Sequence, residues 1–192
     1  MSLSKHELFQ QMLEQINLHH QPEYLPYFEN GEIEQVIVHK KSKLWSFQFV
    51  FDNVLPFEVF TALMNHMKIK FQSIATIDFQ IKTRRPILTN ESILDYWETV
   101  VQRSNISSPL VLSLFAKHTP VVLDNKVVIS VENEITKNHL ADNYLSIIQQ
   151  NYLVLGFPSF QITIEVDEAA SEARMAQYLA RKQEQDEMLV KQ

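Results

Sequence analysis

A chain of 192 residues with 45% hydrophobic and 10% aromatic content holds enough apolar material for one full core or two small ones. It has no cysteine, which excludes disulfides and thiolate chemistry. Its formal net charge of −6 argues against phosphate-driven nucleic-acid binding as its main work. The deficit is lopsided: residues 1–85 carry nine Lys/Arg and nine Asp/Glu, whereas residues 86–192 carry eight and fourteen. The first fifteen residues lack the continuous apolar stretch of a signal peptide, and no run approaches the ~18 apolar residues of a membrane span. A soluble, cytoplasmic protein is expected.

In chain order, Ser4 to Glu7 reads as a capping box, followed by a helical stripe of Leu8, Phe9, Met12, Leu13 and Ile16. Pro22 and Pro26 mark a loop. Residues 32–40 and 43–51 read as two strands of an antiparallel hairpin, the second with Trp45, Phe47, Phe49 and Phe51 alternating with Ser46, Gln48 and Val50. Pro56 opens a helix whose Phe57, Phe60, Met64, Met67 and Phe71 step by three and four, and Ile77, Phe79 and Ile81 alternate in a third strand.

The second half repeats the plan. A helix over 90–103 carries Ile93, Tyr96, Trp97 and Val100, and Ser108-Pro109 caps a short helix to Phe115. Strands at 120–124 and 126–132 form a hairpin around Asp124-Asn125, residues that tolerate positive φ. Asn133 caps a long helix with Leu140, Tyr144, Ile148, Tyr152 and Leu155 inward, stopped by Gly156 and Pro158. A strand around Ile162, Ile164 and Val166 closes the unit, and 168–192 reads as a polar helix dissolving into a linker. The expected architecture is α+β, with two small lobes that each pack a three-stranded sheet against helices. Residues 1–85 are α-β-β-α-β, residues 86–167 are α-α-β-β-α-β, and 168–192 connect onward.

Catalytic motifs are missing. Two glycines, Gly31 and Gly156, supply neither a P-loop nor a dinucleotide fingerprint, and no zinc spacing or HExxH occurs. Two features point to binding instead. Lys40, Lys41 and Lys43 at the hairpin tip, with Arg84 and Arg85 after the third strand, make a basic patch if an antiparallel sheet brings those ends together. Lysines there also suit a solvated, protected sheet edge. Tyr96 and Trp97 are adjacent on a short helix, so one of them is expected to point partly outward. Together with Tyr144 they form a candidate protein interface. The aromatic strand 45–51 faces a Phe/Met-rich helix and is expected to be core rather than a base-stacking platform.

The blocks YFENGEIEQVIVHKKSKLWSFQFVF, LPFEVF, ESILDYWETVV, ISSPLVLSLF and NYLSIIQQNYLVLGFP resemble the N-terminus of the PolC-type DNA polymerase III α subunit of low-GC Gram-positive bacteria. The second lobe is also similar to the N-terminal domain of the initiator DnaA and to the α-binding domain of clamp-loader τ. The first is KH-like in order but lacks the GxxG loop that clamps nucleic-acid backbone. The resemblance implies a parent enzyme that synthesises DNA and proofreads 3′→5′ with Mg or other divalent metal ions. It implies no catalytic, metal or cofactor residue in this segment. It further implies a monomeric interaction module that binds replisome proteins such as τ or the helicase loader, with weak or no nucleic-acid binding of its own. The alternative is a module that guides single-stranded template to an adjacent oligonucleotide-binding barrel.

Overall fold

The computed structural model describes residues 2–141 and 144–191. Helix α1 (Lys5–Gln15) begins at Ser4, whose Oγ accepts the Glu7 backbone N–H at 3.1 Å. Its buried stripe is Phe9, Met12 and Leu13, continued by Ile16, while Leu8 turns outward. The proline segment holds one short helix, α2 (Leu25–Phe28), with Phe28 in the core. Strands β1 (Glu32–His39) and β2 (Leu44–Phe51) pair antiparallel, with a bulge between Ile33 and Gln35.

Helix α3 (Phe57–Phe71) then crosses over, and β3 (Thr76–Thr83) returns beside β2 in parallel. The parallel return corrects the expected all-antiparallel sheet. A helix between β2 and β3 carries the chain back to the end where β2 began, so β3 must run in the same direction. The inward face of α3 is centred on Val59, Phe60, Leu63 and Met67, with Phe57, Met64 and Phe71 at its half-buried margins.

The second sheet has the same topology. Helices α4 (Asn90–Arg103) and α5 (Pro109–Lys117) are capped by Thr89 and Ser108. Strands β4 (Val121–Leu123) and β5 (Lys126–Val131) turn through Asp124 and Asn125, both at positive φ (50° and 63°). This is the primed geometry that suits a two-residue hairpin. Asn133 accepts the Thr136 backbone N–H at 2.9 Å and caps α6 (Glu134–Ala141). Helix α7 (Tyr144–Val154) follows, and the part of the expected long helix at 142–143 lies outside the described residues. Strand β6 (Ile162–Val166) lies parallel to β5. The chain ends in α8 (Glu168–Val190), regular almost to the last residue rather than dissolving, as its Ala, Glu, Gln, Arg and Leu content favours.

The two sheets do not have separate cores. One contiguous buried cluster runs from Phe9 to Ile164. Tyr96 of α4 sits at its centre, with ring centroids 5.1 Å from Phe57, 5.3 Å from Phe60 and 5.0 Å from Phe157. Its hydroxyl donates to the Leu55 carbonyl at 2.7 Å. A bridge between Ile81 and Leu155 and a hydrogen bond from Thr83 Oγ1 to the Gly156 carbonyl join β3 to the end of α7. Gly156 has φ +97°, and a Cβ there would stand 2.9 Å from Thr83 Cγ2, so the glycine permits this close approach.

Candidate interaction surface

Tyr96 and Trp97 are not on the surface. Trp97 is 4% exposed, its Nε1 donates to the Phe115 carbonyl at 2.9 Å, and its ring meets Phe115 edge-on at 5.7 Å. Tyr96 is fully buried. Both point inward because α4 is covered on two sides, by α3 of the first lobe and by α5 and α7 of the second. A helix sandwiched in this way buries neighbouring positions at once, a circumstance that helical periodicity alone does not reveal. Tyr144 is half-buried with its ring edge-on to Phe115. The proposed aromatic interface therefore does not exist as a surface.

Burial pushes the Tyr96 and Tyr152 hydroxyls far above the usual phenol range. Tyr152 donates to the Ile93 carbonyl at 2.8 Å, so both phenols act as neutral donors inside the core.

The basic residues are split. With β2 and β3 parallel, Lys40, Lys41 and Lys43 lie at the starting end of β2, and Arg84 and Arg85 lie beyond its far end, roughly 25 Å away for eight residues of strand. Arg84 is also engaged: it donates to Asp52 Oδ1 at 2.9 Å and to the Asn30 carbonyl at 2.9 Å, and it pairs with Glu32 at 3.1 Å. Asn30 donates to Asp52 at 2.7 Å, and this bond, with that from Arg84, holds the Asp52 carboxyl below its usual range. Arg84 thus knits the sheet's far end together.

A different group gathers at the hairpin end. Because α3 runs opposite to β2, its last turn, with Lys68 and Lys70, comes back to the Lys40–Lys43 turn. Phe71 packs on Trp45 at 5.5 Å, and the Thr76 N–H donates to the Lys43 carbonyl at 2.8 Å. Five lysines thus share one end of the lobe, and neither residues 35–51 nor residues 59–77 contain a single carboxylate. Asp78, the nearest acid in the strand, lies on the opposite face of the sheet from Phe79 and pairs with Arg103 at 3.7 Å. Beside the lysines, Val36, Ile37 and Val38 of β1 are 41%, 39% and 48% exposed, and Ile74 is 55% exposed. Sequence reasoning found the hairpin lysines but not Lys68, Lys70 or the valines. The acid-free stretches were the available signal, and the direction of α3 makes them neighbours.

Among the described residues no group of three or more His, Asp or Glu is placed to hold a metal ion. No helix of the described residues is long and apolar enough to cross a membrane.

The family models decide the relationship. Residues 8–81 match the model described as DNA polymerase III polC-type N-terminus I, and residues 95–192 match polC-type N-terminus II. The chain belongs to the PolC-type DNA polymerase III N-terminal family. It is similar to DNA polymerase III PolC-type of Latilactobacillus sakei, with 44% identity over 90% of this chain and 12% of the relative. Similarity to DNA polymerase III PolC-type of Lacticaseibacillus paracasei is 30% over 100% of this chain and 13% of the relative. For DNA polymerase III PolC-type of Bacillus subtilis it is 31% over 82% and 11%. The chain spans about one eighth of the length of these PolC relatives. No solved structure matches it. The junction between the two PolC models, residues 82–94, spans the end of β3, the connecting segment and the start of α4.

Proposed function

We propose that this chain is a non-catalytic interaction module of a PolC-type DNA polymerase III α subunit, binding replisome proteins such as clamp-loader τ or the helicase loader. The observation that carries the reading is the hairpin end of the first lobe. There, exposed Val36, Ile37 and Val38 stand beside Lys40, Lys41, Lys43, Lys68 and Lys70 in a chain that is acidic overall. Apolar side chains edged by one sign of charge suit a protein partner, with the apolar part supplying affinity and the charge supplying speed and orientation of encounter. Template-directed synthesis, 3′→5′ proofreading and the Mg or other divalent ions they need belong, in this reading, to the remaining seven eighths or so of the polymerase.

Titration of the isotope-labelled chain with τ and with the helicase loader, and separately with single-stranded oligodeoxythymidine, tests the assignment. Shifts at residues 36–43 with either protein support it. Salt-sensitive shifts there with the oligonucleotide, and none with the proteins, would replace it with a template-guiding role.

A further inference from the structure

The two lobes share one topology, in which the first strand of each sheet is an edge, but they treat that edge differently. In the second lobe β4 has three residues, and the Val122 N–H is taken by the side chain of Asn90 at 3.1 Å. In the first lobe β1 has eight residues, and from Val36 to Val38 it carries neither a charge nor a proline. Natural sheets usually blunt such an edge.

The direction of the unpaired groups follows from β2. The carbonyls of Lys43 and Phe51 accept from Thr76 and Arg84 on the β3 side. Backbone polar groups alternate sides along a strand, so the odd residues of β2 face β3 and the even ones face β1. In the register Leu44↔His39, Ser46↔Ile37 and Gln48↔Gln35, it is therefore His39, Ile37 and Gln35 that bond to β2. Val36 and Val38 turn their N–H and C=O groups to the open side. Their side chains lie on the same face as Phe47 and Trp45, opposite which they sit.

We infer that this edge receives an extended acidic segment of a partner protein by strand addition, a conclusion that rests on the interaction-module reading above and specifies its mode. A peptide backbone matches alternating donors and acceptors, whereas nucleic-acid phosphates offer acceptors only. Apolar side chains at alternate positions of the incoming strand lie over Val36 and Val38. Acidic residues at its end meet the Lys40, Lys41 and Lys43 turn, with Lys68 and Lys70 behind it. Trp45 has its ring against Phe71 and offers no free platform for a nucleobase.

The test uses a short synthetic peptide of alternating valines and threonines ending in aspartates, made in both chain directions, with a lysine-ended control. The expected result is slowed amide exchange at Val36 and Val38 on binding, with affinity falling as salt rises. Val38→Pro removes an N–H that β2 does not use, so it is tolerated by the sheet and lowers affinity about tenfold. The triple variant Lys40→Glu, Lys41→Glu and Lys43→Glu lowers it similarly, and decides the matter should the proline variant not fold. Peptide binding without protection of Val36 and Val38, no peptide binding, or binding of oligodeoxythymidine in its place overturns the inference. If τ or the helicase loader binds the chain and neither variant affects it, strand addition fails and the module reading stands. If neither protein binds, the module reading itself fails.

Discussion

Tyr96, Trp97 and Tyr152 illustrate how a polar tip on a large apolar body is used here. Each buries its ring and still satisfies its one donor, on the carbonyls of Leu55, Phe115 and Ile93 respectively. A buried indole or phenol left without an acceptor would cost about 1–3 kcal/mol. Trp97→Ala is accordingly expected to destabilise the fold by about 3–5 kcal/mol, measured by denaturant unfolding, with no direct role in partner contact. Alkali provides a second check. Both tyrosines have pKa values raised above the unfolded value of about 10, so their contribution is complete below that pH and is lost as pH rises beyond it. Tyrosinate absorbance should show two of the six tyrosines ionising only together with unfolding, above the range in which exposed phenols titrate.

Elements meet through two glycines, and each has a definite task. At Gly31 a Cβ would fall 2.5 Å from Phe9 Cε1 and 2.9 Å from Phe51 Cε1, so the approach of α1 to the start of β1 depends on its absence. At Gly156 the positive φ and the contact with Thr83 act together. Gly156→Ala should cost more than about 1 kcal/mol in equilibrium unfolding, because alanine is strained there and the carbonyl that accepts from Thr83 must move. A further element-level feature is the glutamine row across the exposed face of the first sheet. Gln35 donates to Gln48 at 2.7 Å and Gln48 to Gln80 at 3.1 Å, which ties all three strands together on the side away from the core. It adds register information that the buried aromatics on the other face already supply.

For the whole molecule, the shared core predicts shared fate. Tyr96 belongs by sequence to the second lobe yet packs on Phe57 and Phe60 of the first, so its loss exposes both. Thermal unfolding is expected to be a single transition, and Tyr96→Ala should lower hydrogen-exchange protection in β2 and β5 together. Separate transitions, or loss confined to one sheet, would show the lobes to be independent. The same arrangement joins the lobes on the β3 side of the first sheet, with β1 at the opposite edge.

Most elements were legible in the residues alone. Alternation in β2 and β3, the Ser4, Ser108 and Asn133 caps, and the Asp124-Asn125 turn depend on local sterics and on a period of two or 3.6, which a chain carries wherever it goes. The α+β class and the doubled hairpin-helix-strand plan follow from them. Strand direction does not. Whether β3 returns parallel or antiparallel depends on where α3 delivers it, and that one fact separated Arg84 and Arg85 from the hairpin lysines and brought Lys68 and Lys70 to them instead. The burial of Trp97 beside Tyr96 depended likewise on α4 being covered from both lobes, and the exposure of Val36 and Val38 on β1 having no further strand beside it among the described residues. Local periodicity determines which elements form, whereas their crossovers and coverings determine which side chains remain for a partner.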